Sequence, residues 1–520
     1  MLAFGVGAWN CWGVQGSSRS DRELLDAAAL CGHLLARGSV AAFLAEHRRE
    51  LFPDEMFADL FASGRGRPSV PAEVIAVVMV LQALEGLSDR QAVRRLETDI
   101  TWKAAAGLSL TDGAFDHSVL VLWRNKLRAS ERPQRMFDAV RELIRLSGAI
   151  KGKTRRALDS TVLDDAVARQ DTIDMLVTQI RRVRRLIAEL VSVPVREDNI
   201  AGTGRPPCDW NDPADIERVV SELVDDANEV VWAGEELQGL SAEQTDALAL
   251  LALVAGQDVE PSERPGQWRI AARTAPDRVI SVVDPETRHV HKTVRSYRDG
   301  YKAHVAVEPD TGLVTNCEIT AGNTPDADTA EKLLAGDRGC REVLGDSAYG
   351  AGRLRRRLAE RNKRTVIKPP PLRPAVVGGF TIDDFEISPD HTAMTCPAGA
   401  TVDLRNGRAD FARHCQGCDL RSLCTTAQDG RRIVLHPDHE FLAAARRQAA
   451  TEEFDLVYRN KRPMVERSLA WLTRGTNRRL RFRGIERNRL GWAHRCAAIN
   501  LQRLLTLGLA ARPDGTWVIA

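Results

Sequence analysis

The pattern of apolar residues changes near residue 155 and divides the chain into two parts. Before this point apolar residues recur every three or four positions, as in residues 71–87, which predicts helices. After it, short runs compatible with β-strands appear, the first at residues 156–163. We therefore expect an all-α domain over residues 1–150, followed by an α/β domain over residues 151–510.

Further elements follow from local patterns. A long helix is predicted at residues 118–147. The strands predicted at 301–307 and 313–320 flank a turn-forming segment, so they should form an antiparallel hairpin. Additional strands are predicted at residues 280–283, 342–345 and 365–367.

Charge is distributed very unevenly along the 520 residues, although the formal net charge is only +2. Residues 209–246 hold twelve acidic side chains and one basic side chain, within a predicted insertion at about 195–265. Residues 459–495, called the basic block below, hold twelve Lys or Arg and two Glu. A local charge of 12 − 2 = +10 predicts a phosphate-binding surface, and a solvated helix face is the alternative.

No run of eighteen apolar residues occurs, which excludes a predicted membrane span. The N-terminus lacks the basic region, apolar core and cleavage site of a secretory signal. We therefore expect a cytoplasmic protein.

Three carboxylates stand where a metal site could form. Asp159 is predicted to end the first strand, Asp346 follows the strand at 342–345, and Glu466 lies in the basic block, which favours its charged form. Each aspartate alone would also suit a turn or a helix cap. Because neighbouring strand ends lie side by side, carboxylates there can converge on hard cations. Together the three predict a two-metal site, with Mg²⁺ or Mn²⁺, for phosphoryl transfer at a DNA phosphodiester.

Four cysteines crowd into a predicted insert at about residues 375–432, with the spacing Cys-x18-Cys-x2-Cys-x5-Cys. Four thiolates suit one structural Zn²⁺, and four reduced thiols without a metal are the alternative. His391 and His414 are possible substitute ligands. The cysteines are Cys396, Cys415, Cys418 and Cys424.

Several segments, in this order, resemble the DDE-type insertion-sequence transposases. They are GRPSVPAEV (66–74), LQALEGLSDR (81–90) and FDHS (115–118) in the N-terminal part, and LDST (158–161), GYKAH (300–304), AGNTPD (321–326) and GDSAYG (345–350) in the catalytic part.

The resemblance implies a ribonuclease-H-like mixed-sheet catalytic domain, with helical insertions, behind a helical DNA-binding domain. It also implies that Asp159, Asp346 and Glu466 form the family's acidic triad. The family's third motif is present as Tyr458, Arg462 and Glu466, with three residues rather than two between the Tyr and the Arg. Thr473 stands at the motif's Lys position, so the routes with and without a DNA hairpin both stay open.

Candidate DNA contacts come mainly from the basic block. Lys302 could reach a phosphate near the metals, and an edge-strand lysine is the alternative. Arg474 could replace the missing Lys. The full set is Tyr458, Arg462, Arg474, Arg478, Arg479 and Lys302.

The function expected is binding of the terminal inverted repeats of a mobile element, metal-dependent cleavage at its ends, and strand transfer to target DNA. Two ends must be held together, so a homodimer is expected, acting on DNA in the bacterial cytoplasm at the nucleoid. The alternatives are a catalytically silent regulator derived from a transposase, and a metal-dependent nuclease without strand transfer.

Overall fold

Eleven consecutive side chains of one N-terminal helix, from Ala72 to Gln82, are buried. A helix that is apolar on all sides must be enclosed by other elements, and here it forms the centre of a helical assembly. The structure, a computed structural model, describes residues 14–18, 24–61, 66–202, 204–293 and 296–520. The N-terminal helices are α1 (Ala27–Cys31), α2 (Val40–Leu51), α3 (Ala72–Glu85), α4 (Asp89–Thr98), α5 (Ile100–Ala106), α6 (Ser118–Ala129) and α7 (Arg135–Leu146).

The single helix predicted at residues 118–147 is wrong, because the structure has two helices there, α6 and α7. Pro133 lies between them, and proline has no N–H to continue a helix. The Arg135 side chain braces this break by donating to the carbonyl of Arg132 and to Asp59.

Strand β1 (Arg155–Asp164) starts the α/β part, after which the chain leaves the sheet and builds a helical insertion. The insertion has its own apolar core, in which Leu223 and Leu251 are fully buried. Most of the acidic residues between 209 and 246 lie on two helices of this insertion. Its elements are α8 (Thr172–Leu186), α9 (Glu197–Ile200), α10 (Pro213–Glu235), α11 (Ala242–Gln257), β2 (Val259–Pro261) and β3 (Trp268–Ile270).

The strand predicted at residues 280–283 does not form. The backbone of this segment bonds to Gln170 instead of to a neighbouring strand. The N–H of Val282 donates to Oε1 of Gln170, and the N–H of Gln170 donates to the carbonyl of Ile280. The apolar side chains of Ile280 and Val282 are both buried, and Val282 packs in the apolar core of the insertion.

A mixed six-stranded sheet is the frame of the α/β part. β5 is antiparallel to β1, β4 and β6, whereas β7 is parallel to β1 and β8. The predicted antiparallel hairpin is confirmed by the pairing of β5 with β6. The elements are β4 (Arg288–Thr293), β5 (Ser296–Val307), β6 (Val314–Ala321), α12 (Asp326–Leu333), β7 (Glu342–Gly345), α13 (Gly352–Glu360) and β8 (Arg364–Ile367).

A cysteine-bearing segment of short strands follows the sheet, and long helices then return the chain to it. The short elements are β9 (Glu386–Ile387), β10 (Ala393–Thr395), β11 (Thr401–Asp403), β12 (Arg408–Asp410), α14 (Arg421–Cys424) and β13 (Arg432–Val434). The last elements are α15 (His439–Ala449), α16 (Glu452–Lys461), α17 (Pro463–Leu472), α18 (Ile485–Thr506), β14 (Leu509–Ala511) and β15 (Trp517–Ile519).

Helix α18 joins the two parts of the chain. It packs against α3, α6 and α7 on one side and against β6 on the other. One continuous apolar core therefore contains N-terminal residues such as Val77 and Trp123, sheet residues such as Val305, and Trp492 of α18. Among the described residues, the helices are too short or too polar to cross a membrane.

Candidate active site

Asp159 lies in the middle of β1, which corrects the prediction that it ends the strand. Pairing continues beyond it, since β5 matches β1 as far as Asp164. The Asp159 side chain is 13% exposed, and one of its oxygens accepts from the N–H of Ser160 at 2.8 Å. Burial raises the pKa of this carboxyl to about 6, although the nearby Arg462 opposes the shift.

Asp346 follows β7 directly and faces the same side of the sheet as Asp159. The register pairs Leu344 with Ala157, and side chains alternate along a strand. Residues two positions further on each strand, Asp346 and Asp159, therefore lie side by side. The Asp346 carboxylate also accepts from the N–H of Ala348 at 3.0 Å, which fixes the turn after the strand.

Glu466 reaches the same place from a helix. It lies in the first turn of α17, which packs on β1 and β5. Pro463 opens this helix, where its missing N–H costs no hydrogen bond. The Glu466 side chain is mostly exposed, so it forms the open side of the site.

Arg462 contacts all three carboxylates with one guanidinium group. Its Nη2 lies 3.0 Å from Oδ1 of Asp159 and 3.9 Å from Oδ2 of Asp346, and its Nη1 lies 3.4 Å from Oε1 of Glu466. Burial opposes the charged form of Arg462, but the attraction of Asp159 and its neighbours outweighs this and raises the pKa. The guanidinium is only 4% exposed and points inward, away from the surface where we expected it to meet a DNA phosphate.

The donor set around Arg462 suits a hard divalent cation, because it consists of carboxylate oxygens. In this structure the three carboxylates surround one positive group, the guanidinium of Arg462. Within the described part of the chain, no three His, Cys, Asp or Glu side chains are close enough together to hold one ion.

Lys302 and His304 face the opposite side of the sheet. Lys302 is paired with Val162, not with a residue on the Asp159 face. Its ammonium lies 2.9 Å from Asp326 and donates to the carbonyl of Thr324. Lys302 is therefore separated from the carboxylates by the sheet. The alternative, an edge-strand lysine, is wrong, because β5 pairs with β1 on one side and with β6 on the other at this position.

A buried polar cluster that the sequence did not assign lies on that opposite face. Asp326 accepts from the hydroxyl of Ser160 at 2.8 Å. His304 bonds to Thr320 at 2.9 Å, and burial lowers the pKa of His304 to about 4. Asp326 belongs to the AGNTPD segment, so the signal was present in the sequence without a role attached to it.

The other candidate DNA contacts differ in exposure. Tyr458 stacks on Phe454 at 5.6 Å, and burial raises its pKa. Arg474 and Arg479 are exposed, whereas Arg478 is half-buried and bonds to Thr473. Thr473, at the position of the motif's Lys, is buried, whereas Arg474 beside it presents its charge to solvent.

The basic block also covers the tight turn between α3 and α4. Gly86 has φ +69°, and a Cβ at this position would meet the side chains of Asn477 and Thr476 at about 3 Å. The hydroxyl of Thr476 donates to the Gly86 carbonyl at 2.8 Å, and Arg481 donates to the carbonyls of Gly86 and Leu87. The N-terminal helices are thus fixed directly to the segment that follows Glu466.

The four clustered cysteines line one small cavity of about 20 Å³ together with His414. They are free thiols, and burial raises the pKa of Cys424. His391 does not line this cavity and pairs with Glu440 at 3.1 Å, so the prediction of His391 as a substitute ligand is wrong. The thiols have the donor chemistry for zinc and share one cavity, although within the described residues they do not stand at ligand spacing. The cavity is lined by Cys396, Cys415, Cys418 and Cys424.

Two family models match the chain, one in each part. Residues 395–505 match a model described as a transposase DDE domain, a segment that includes Arg462 and Glu466 but neither aspartate. Residues 37–126 match a model described as a transposase domain, DUF772, which covers α2 to α6. No curated protein and no solved structure matches the chain. The two matches, together with the carboxylates around Arg462, identify the chain as a member of the DDE-type insertion-sequence transposases.

Proposed function

We propose that this protein is a catalytically competent transposase that cuts DNA at the ends of its own element and joins the 3′-hydroxyls to a target. The observation that carries the proposal is the meeting of Asp159, Asp346 and Glu466 around one cationic group. Asp159 and Asp346 come from adjacent strands and Glu466 from a helix, so the carboxylates approach the guanidinium from separate sides. A silent regulator would not need three carboxylates at one point.

The three carboxylates would hold two Mg²⁺ or Mn²⁺ ions. When bound, such ions activate a water or a 3′-hydroxyl and stabilise the leaving oxygen at a phosphodiester. Asp159 and Asp346 offer oxygens from the rigid sheet. Glu466 offers them from the solvent side, where DNA must enter. Arg462 must turn away from the carboxylates, which would leave it free to contact a phosphate.

We propose a ribonuclease-H-like fold for the catalytic domain. The support is the mixed sheet, in which β6, β5 and β1 are antiparallel while β1, β7 and β8 are parallel. We propose that the chain divides into a helical domain over residues 1–150 and a catalytic domain over residues 151–510, the latter with the acidic insertion and the cysteine-rich insert. We also propose that the cysteine cavity holds one structural Zn²⁺.

End recognition would fall to the N-terminal helices, with the basic block supplying phosphate contacts. The bonds from Thr476 and Arg481 to the α3–α4 turn support this division of labour, because they hold the two surfaces together. The recognised DNA would be the terminal inverted repeats of the element, and a homodimer would hold the two ends together. Transposition would take place at the nucleoid in the bacterial cytoplasm. A nuclease without strand transfer is the competing function.

The test compares two glutamates of the basic block. Glu466 and Glu486 both lie in the first turn of a helix and are both about two-thirds exposed, but only Glu466 touches Arg462. Glu466→Gln should abolish Mg²⁺-dependent cleavage of an element end while DNA binding in EDTA is retained. Glu486→Gln should cleave normally. Cleavage by Glu466→Gln at the wild-type rate would refute the proposal, and cleavage without strand transfer by the wild type would establish the nuclease.

A further inference from the structure

A cavity of about 730 Å³ lies at the end of the sheet away from the carboxylates. It is enclosed by α7, by the turn that leads into β1, and by the loop between α12 and β7. The cavity is rich in cationic side chains, which are Arg141, Arg145, Lys153, Arg156, Arg338 and Arg341.

The carboxylates of this cavity are already neutralised by half of the cations. Arg156 binds Asp337 through two nitrogens, at 2.5 and 3.3 Å. Asp337 also accepts from the N–H groups of Gly339 and Cys340. The negative charge of Asp337 is therefore balanced by residues of the cavity wall.

The remaining two carboxylates are paired in the same way along α7. Glu142 is bound by Arg145 at 2.5 and 2.8 Å, and Asp138 lies 3.4 Å from Arg141. In the described part of the chain, Lys153, Arg338 and Arg341 have no ion pair. Three positive charges are thus left over.

These three cations stand on a fixed backbone. The N–H groups of Arg341 and Glu342 both donate to the carbonyl of Thr154, at 2.8 and 3.2 Å, which ties the loop to the residue after Lys153. Arg156, which is almost fully buried, binds Asp337 of the same loop. The backbone around the cavity is therefore fixed by hydrogen bonds, while the side chains of Arg338 and Arg341 are exposed.

The cavity is separate from the catalytic site. Glu342, beside Arg341, pairs with Arg155 at one end of β7, and Asp346 lies four residues further on, beyond the other end. At about 3.3 Å per residue this is about 13 Å, which is beyond the reach of a direct contact.

We propose that this cavity binds the phosphodiester backbone of duplex DNA, as a second contact away from the site of cleavage. Arg338 and Arg341 line the cavity and are exposed, so a long ligand can lie across it while its phosphates meet Lys153. The contact is with charge alone, so it does not depend on base sequence. It suits a DNA segment that is held but not cut there, and it does not depend on the catalytic carboxylates.

The test measures binding of a fluorescent duplex of arbitrary sequence to the full chain, in EDTA, at several salt concentrations. The variant Lys153→Gln, Arg338→Gln, Arg341→Gln should bind more weakly. Its salt slope should fall by about 0.9 for each lost contact, or about 2.7 for three. The control removes equal charge from exposed arginines elsewhere, as Arg273→Gln, Arg373→Gln, Arg512→Gln, and should leave the slope unchanged.

Equal slopes for the two triple variants would overturn the proposal. A second arm uses inorganic pyrophosphate as the probe. If the cavity variant loses pyrophosphate binding but keeps the wild-type duplex slope, the cavity is a small-anion site and the proposal fails. The duplex assay is run in EDTA and requires no cleavage, so a failure of the cavity is distinguished from a failure of the catalytic assignment.

Discussion

Nη2 of Arg462 lies 3.0 Å from Oδ1 of Asp159, and both groups are nearly excluded from water. The buried guanidinium also leaves its Nε without a hydrogen-bond partner among the described residues. An unsatisfied buried N–H costs free energy, so this position is held by charge and is not optimal in hydrogen bonding. The arginine therefore competes with any other cation for the same oxygens.

Removing this competitor should strengthen metal binding. Arg462→Gln frees the oxygens of Asp159, and we expect Mn²⁺ to bind at least about tenfold more tightly, equivalent to about 1.4 kcal/mol. Calorimetric titration of DNA-free protein measures this directly. Arg459→Gln is the control, since the exposed Arg459 pairs, within the part of the chain that the structure describes, with Asp455 of its own helix. Weaker Mn²⁺ binding by Arg462→Gln would show that the arginine supports the site.

Stability should fall in mild acid because of His304. Its pKa is about 4 in the folded chain and about 6.5 when unfolded, so the unfolded state binds the extra proton between these values. Stability from this group is present above pH 6.5 and is lost as pH falls towards 4, by about 3 kcal/mol.

Urea unfolding at pH 7 and pH 4.5 tests this. The loss between the two pH values should be smaller in His304→Gln than in the wild type. His33→Gln, at an exposed histidine, should behave like the wild type. An unchanged loss in His304→Gln would place the acid sensitivity elsewhere.

The shared core predicts a single unfolding transition. Trp492 is almost fully buried and its indole donates to the carbonyl of His304 at 3.2 Å. Trp492→Ala should cost about 3–5 kcal/mol and lower the melting of the N-terminal helices and the sheet together. Trp232→Ala, at an exposed tryptophan of the insertion, should cost far less. Separate transitions for helices and sheet in calorimetry would contradict this.

Purified protein should contain about one zinc per chain. Cys418→Ser should remove it and lower the melting temperature, because structural zinc contributes folding free energy. Cys208→Ser, a free cysteine outside the cavity, should retain the zinc. Mass spectrometry of the purified protein measures the zinc content. Folded, active protein without zinc would exclude the metal.

The sequence was most informative where a local pattern and its structural cause coincide. The run Glu342–Gly345 is buried at every position, and it forms the strand that was predicted, directly before Asp346. The failures arose from distant contacts. Residues 280–283 look like a strand but bond to Gln170, and the inward turn of Arg462 depends on Asp159, three hundred positions earlier in the chain. Such pairings leave no trace in a local window.

Helix α18 follows α3 by some four hundred residues in the chain, yet the two helices pack against each other. Some four hundred residues must be synthesised before the apolar surface of α3 meets this partner. During that time the surface of α3 that packs on α18 has no partner from that helix. The same order of synthesis means that a truncated chain lacking α18 should expose this apolar surface of α3 and aggregate.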